Sequence, residues 1–261
     1  GKTTADFYNL ERLDPSYQVF FGEKDSISIG DSLKKIYKIF DKEEKGSSKK
    51  LKRFIDLAKE NYDIAIKDLV YRPGISPLEL ITPVTIKKIK YFLGNIKNDV
   101  YKDFKSPKLR QILQFPVLFL GAKPSNTPSF YNFMNFADFG LGTWHPEKGM
   151  YSVVLAMVSL AKSLGVEFHT DSVVEKIVVN DSGKAKGIQI NGKMIESDIV
   201  ISGADYHHSE TLLDFRFRAY SEDYWSKRVF APSSLLFYIG LDKKVKNVSH
   251  HTLFFDVDFD E

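Results

Sequence analysis

Apolar positions in the middle of the chain recur with the period of a buried helix. Val154, Met157, Ala161 and Leu164 fall three, four and three residues apart, and Val153 and Leu160 widen the stripe. This spacing predicts a helix buried over much of its circumference. Gly165 is placed to end it, because glycine enters a left-handed C-terminal cap without strain. Short apolar runs follow. Val166–His169 reads as a strand, and Val173–Val179 and Lys184–Ile190 read as two more, joined at Asn180-Asp181-Ser182-Gly183. Asn191-Gly192 signals a two-residue hairpin, since both central positions want positive φ. Asp198–Ile201 is a β-branched run closed by Ser202-Gly203-Ala204-Asp205, whose small residues let a backbone approach another group closely.

Toward the N-terminus, Tyr17–Phe21 and Ser26–Ile29 read as strands around a turn at Gly22–Asp25. Asp31 is expected to cap a helix with Leu33, Ile36, Tyr37 and Phe40 on its apolar face. Lys42–Lys50 reads as a charged connection, and a longer helix from Leu51 carries Phe54, Ala58, Tyr62, Ala65 and Leu69 on one side. Between Ile81 and Arg110 there are eight Lys or Arg against two Asp. Ile86, Ile89, Leu93 and Ile96 share one helical face there, with Lys87, Lys88, Lys90 and Lys97 around it. Two readings stand: a surface helix packed on the core, or a basic amphipathic helix lying on an anionic membrane. Phe130, Phe133, Phe136 and Phe139 step by three, which suits either a core stripe or the wall of an apolar cavity.

Composition narrows the chemistry. With 43% hydrophobic and 27% charged residues in 261, the chain is an ordinary folded one. The absence of Cys excludes disulfides, thiolate metal sites and cysteine nucleophiles, and fits a cytoplasmic protein. A net charge of +3 does not argue for nucleic acid, and none is expected as a partner. No apolar run approaches the roughly 18 residues that span a bilayer. His207-His208 and His250-His251 are adjacent pairs whose rings diverge in a regular element and chelate poorly, so no metal site is expected. Asp256, Asp258 and Asp260 share a strand face but lack the glycine and terminal Glu of a calcium loop. No nucleophile elbow, P-loop or His-Glu-x-x-His is present, and no catalytic residue is assigned.

From His145 onward the run HPEKGM, LAKSLGVEFHTDSVVEKIVV, GKAKGIQINGKMIESDIVISGAD carries a more specific signal. With Ser233–Asp242, His250–Phe255 and Tyr17–Phe21, it resembles the phytoene desaturase family of carotenoid oxidoreductases. Its members usually read Phe-Pro-x-Gly-Gly-Met, Leu-Gly-Val, Thr-x-Val-x-x-Ile and Ser-Asn-Ala-Asp at these places. The resemblance implies FAD-dependent desaturation of a carotenoid, with one hydrogen leaving as hydride to the flavin. Carotene isomerases and retinol saturases share these motifs. From a different class, a non-catalytic apolar-ligand or membrane-binding module is the other alternative. Carried over by position, the resemblance puts the adenine side of FAD at Val174 and the cofactor loop at Ser202, Gly203, Ala204 and Asp205. The turn bordering the flavin falls at His145, Pro146 and Gly149, with Glu147 and Lys148 departing from the usual Arg-Gly. Tyr131, Phe133, Met134 and Trp144 are the expected wall of the polyene tunnel.

The expected fold is α+β. An antiparallel substrate-domain sheet of Tyr17–Phe21, Ser26–Ile29, Leu235–Leu241 and Thr252–Val257 is roofed by helices, with part of a FAD-binding domain beside it. The expected division is 1–145 for the substrate or lid domain, 146–205 for the FAD-binding part, and 206–261 for the return to the substrate sheet. The family's Gly-x-Gly-x-x-Gly turn, which sets the flavin pyrophosphate on a helix start, does not occur in the sequence. The chain is therefore expected to be an internal part of a longer protein that retains no FAD by itself. The longer protein is expected to be cytoplasmic and attached to the membrane surface through residues 81–110.

Overall fold

The computed structural model describes residues 1–230 and 233–259. Three strands, β1 (Leu10–Arg12), β2 (Tyr17–Phe20) and β3 (Ser26–Ile29), precede the long helices α1 (Leu33–Glu43) and α2 (Ser47–Lys67). Short helices α3 (Pro83–Lys87), α4 (Ile89–Leu93), α5 (Ile96–Asp103), α6 (Pro107–Gln114) and α7 (Phe133–Asn135) lead to β4 (Trp144–Pro146) and α8 (Tyr151–Ser163). A meander of β5 (Lys176–Val179), β6 (Ala185–Ile190) and β7 (Lys193–Glu196) is followed by α9 (Tyr206–Thr211), α10 (Glu222–Ser226) and β8 (Thr252–Phe254). The architecture is mixed helix and sheet, as expected. Two compact units divide near residues 157 and 231. These breaks describe the chain as it stands, and the domain limits at 145 and 205 remain a proposal about the longer protein.

In the larger unit, residues 1–157 with 233–259, the alternation in β2 and β3 turns Tyr17, Val19, Ile27 and Ile29 inward. β2 pairs antiparallel with β3 and parallel with β8, with Val19 opposite both Ile27 and Leu253. The expected all-antiparallel sheet is corrected here: the third strand runs parallel and ends at Phe254. Leu235–Leu241, expected to be another of its strands, pairs with no strand among the described residues and is exposed, Tyr238 at 94%. β2 already has a partner on each side. Sequence reading also missed a two-stranded sheet that pairs Leu10 with Pro146 and Arg12 with Trp144.

α1 buries Ile36 and Phe40, four residues apart. Ser32, not Asp31, is its N-cap residue, and Asp31 instead pairs with Lys35 at 3.0 Å. α2 begins inside the expected charged connection and buries Leu51, Phe54, Ile55, Ala58, Asn61 and Ala65. The inward face is rotated from the expected one: Tyr62 lies at its edge, and Asn61 is inside because its amide donates to Asn132 Oδ1 at 2.9 Å. Phe40 sits edge-on to both Phe104 and Phe139, ring centres 6.1 Å apart in each case. The single basic helix expected over Ile81–Arg110 is several short ones. Gly94 breaks it, since a Cβ there would lie 2.9 Å from Ser129 Oγ and Asn95 bridges to Pro128. Ile96 is buried, whereas Ile86, Ile89 and Leu93 are exposed.

In the smaller unit, residues 158–230, β5, β6 and β7 form an antiparallel meander. Asn191 and Gly192 take φ of 50° and 72°, the positive values the hairpin requires. Gly187 is needed where β6 meets β7, because a Cβ would come within 2.0 Å of Ile195 carbonyl oxygen. Gly165, φ 84°, ends α8 as expected, and Val166 N–H closes back on Ala161 carbonyl at 3.1 Å. α8, however, buries none of its residues, with Met157 67% exposed. Val166–His169 and Asp198–Ile201 are not strands, Val173–Glu175 lies outside β5, and Ile201 is 89% exposed. Strands of a buried parallel sheet need neighbours on both sides. None pairs with 166–169 or 198–201 among the described residues.

Candidate functional site

The larger unit carries an apolar groove of about 690 Å³. One side is the start of β2, at Ser16 and Tyr17, with Leu253 of β8 and His251 just before it. α2 contributes Tyr62 and Ile66, and the 3-10 turn after α6 contributes Phe115, Pro116 and Phe119. The remaining wall is Phe133, Met134, Ala137, Asp138 and Thr143. That wall is held by polar ties beneath it: Asn132 to Asn61, and Asn135 amide to Leu113 carbonyl at 2.8 Å.

Phe136–Leu141 winds as a π-helix, an arrangement that recurs at functional sites. Two glycines make it feasible. A Cβ at Gly140 would strike the Phe136 ring at 2.6 Å, and one at Gly142, φ 79°, would meet the Arg12 guanidinium at 2.7 Å. Phe139 turns into the core, 2% exposed, and its neighbour Asp138 faces the groove. Tyr17 hydroxyl donates to Asp138 Oδ2 at 2.7 Å, joining positions 121 residues apart in the chain. Burial pushes the Asp138 carboxyl up to about 6, against the stabilising hydrogen bond from Tyr17. The Tyr17 phenol is raised well above its ordinary value, first by burial and then by the facing carboxylate. Tyr17 is therefore a donor at any physiological pH, and among the described residues Asp138 is the only acid in a lining of mostly apolar side chains.

Of the expected tunnel residues, Phe133 and Met134 line this groove. Tyr131 packs on Phe133, ring centres 5.5 Å apart, outside the lining. Trp144 is also outside it, 49% exposed, with its indole N–H on Leu141 carbonyl at 3.0 Å and Arg12 over its ring. Sequence reading missed Tyr17, Tyr62 and Asp138. The available signal was one carboxylate inside the Phe-rich run 130–139.

The positions assigned to FAD fall in both units. In the larger one, His145 and Pro146 are in β4, and Gly149, φ 87°, follows a turn closed by its N–H on Pro146 carbonyl at 2.8 Å. The His145 ring lies 4.2 Å from that of His250, whose pKa is lowered by burial and then by the two neighbouring imidazoles. In the smaller one, Val174 is half-buried just before β5, and residues 202–205 are exposed. Asp205 caps α9 by accepting from His208 N–H at 3.0 Å, and Ser202 and Ser209 hydroxyls meet at 2.6 Å. Each unit by itself holds part of the set, His145, Pro146 and Gly149 in the larger and Val174 with residues 202–205 in the smaller.

The chain belongs to the flavin containing amine oxidoreductase family, whose model matches residues 89–249. It is similar to the carotenoid 3,4-desaturase of Haloarcula japonica, 34% identical over 271 residues, covering 100% of this chain and 53% of that protein. It is also similar to the zeta-carotene-forming phytoene desaturase of Myxococcus xanthus, 26% identical over 263 residues, covering 99% and 50%. The chain thus spans about half the length of the curated relatives it matches. A crystal structure of an oxidoreductase from Methanosarcina mazei superimposes with a TM-score of 0.45 at 19% identity, over 83% of this chain and 45% of that one, too slight to carry an argument.

Proposed function

We propose that the chain is the substrate-holding part, with a piece of the flavin domain, of a FAD-dependent carotenoid desaturase. The observation that carries this reading is the groove beside the π-helical segment. Its volume of about 690 Å³ admits a section of a hydrocarbon chain, and its walls are chiefly rings and aliphatic side chains. Its similarity to two carotenoid desaturases supports the same substrate class. Hydrogen removal belongs to the flavin bound by the longer protein. This chain's contribution is to hold the polyene in one orientation and keep water from it. Val174, residues 202–205, His145, Pro146 and Gly149 are the positions at which the longer protein would approach its flavin.

A carotenoid is drawn from a membrane, and the surface of the larger unit suits that origin. Ile81, Ile86, Ile89 and Leu93 are exposed beside the exposed Lys87 and Lys90, a combination that favours an anionic lipid surface, while Lys88 is taken up by an ion pair with Glu60 at 2.6 Å. The longer protein is accordingly read as a peripheral protein of the cytoplasmic face. The test is to supply the longer protein, flavin-loaded, with a colourless carotene in liposomes. New long-wavelength polyene absorbance supports the reading, and unchanged carotene with full flavin occupancy contradicts it.

A further inference from the structure

We propose that Asp138 is a recognition point for a hydroxyl group, so that the groove takes a long apolar chain bearing an alcohol in preference to the bare hydrocarbon. This deepens the reading of the groove as the substrate site and rests on it. One carboxyl oxygen, Oδ2, is satisfied by Tyr17, while Oδ1 receives no hydrogen bond from the described residues. Oδ1 is also not among the polar atoms sealed from solvent without a partner, and Asp138 lines the groove. Burial strips the carboxyl of part of its hydration, and Tyr17 supplies a single donor in return. A ligand alcohol supplies the missing donor. No Lys or Arg lines the groove among the described residues; the other titratable groups on it are Tyr17, Tyr62 and His251. The site is thus built to accept a proton donor and offers a ligand anion no cation.

Three pyrene-tagged probes with the same twelve-carbon chain, ending in methyl, hydroxyl or methoxy, would be titrated into the full chain by fluorescence. At pH 7.5 the alcohol should bind about tenfold more tightly than the hydrocarbon, the worth of one hydrogen bond to a charged acceptor. The ether, which accepts but cannot donate, should match the hydrocarbon at pH 7.5 and gain several-fold at pH 5, when Asp138 carries a proton to donate. Asp138→Leu should equalise the three probes. Equal affinities for all three on the unaltered chain at both pH values would overturn the proposal while leaving the groove as an apolar-chain site. That comparison needs no variant, so it stands even if Asp138→Leu fails to fold. Failure of the reading beneath it looks different: all probes would bind alike, and Ala137→Trp, which fills the groove, would not weaken any of them.

Discussion

Burial holds a proton on Asp138 at a pH where the unfolded chain has already released it. Between about pH 4 and 6 the folded state therefore binds more protons, and this residue's contribution to stability falls as pH rises through that window. Above pH 6 the loss is complete. Asp138→Asn keeps an acceptor for Tyr17 and removes the charge. The variant should gain on the wild type between pH 4.5 and pH 7.5 by about 2 kcal/mol, read by urea unfolding at each pH. A constant difference would contradict the burial of this carboxyl. Phe40, flanked by Phe104 and Phe139, should cost about 3–5 kcal/mol as Phe40→Ala, measured the same way. Ile36 and Phe40 were legible from their spacing alone. Asn61 and Asp138 were not: each is inside because of a partner 71 or 121 residues away, and no local pattern encodes such a partner.

Helix α1 followed the apolar period because it buries one continuous face, α2 did so with its inward face turned to Asn61, and the Asn191-Gly192 hairpin followed from φ alone. The stretch 81–110 did not, since its apolar residues divide between a buried Ile96 and an exposed Ile86, Ile89 and Leu93. α5 is packed on the core through Ile96 and Val100, whereas α3 and α4 leave Ile86, Ile89 and Leu93 exposed beside Lys87 and Lys90. Lys87→Glu with Lys90→Glu should abolish co-sedimentation with anionic liposomes, and high salt should release the unaltered chain. Equal binding to neutral liposomes, or no effect of the charge reversals, would remove the membrane role. Strands 166–169, 198–201 and 235–241 were misread for a common reason. Their apolar content predicts burial in a sheet, but pairing depends on neighbours that a single run does not reveal.

At the scale of the molecule, family membership rests on residues 89–249, while the groove is assembled from both sides of that match, Tyr17 and Leu253 included. Residues expected to meet FAD are divided between the two units, and no glycine-rich turn is present to neutralise a pyrophosphate. Losing several charge-assisted bonds at about 1.5–3 kcal/mol each removes orders of magnitude in affinity. The chain by itself should show no flavin absorbance after desalting, and stoichiometric flavin would refute that expectation. The groove between β2, α2 and the π-helical segment is proposed to hold an apolar polyene. The most direct measurement is the amount of detergent-dispersed carotene retained by the chain after gel filtration, compared with Ala137→Trp at matched melting temperature. About one polyene per chain, falling at least tenfold in the filled variant, is the predicted result; equal retention by both would contradict it.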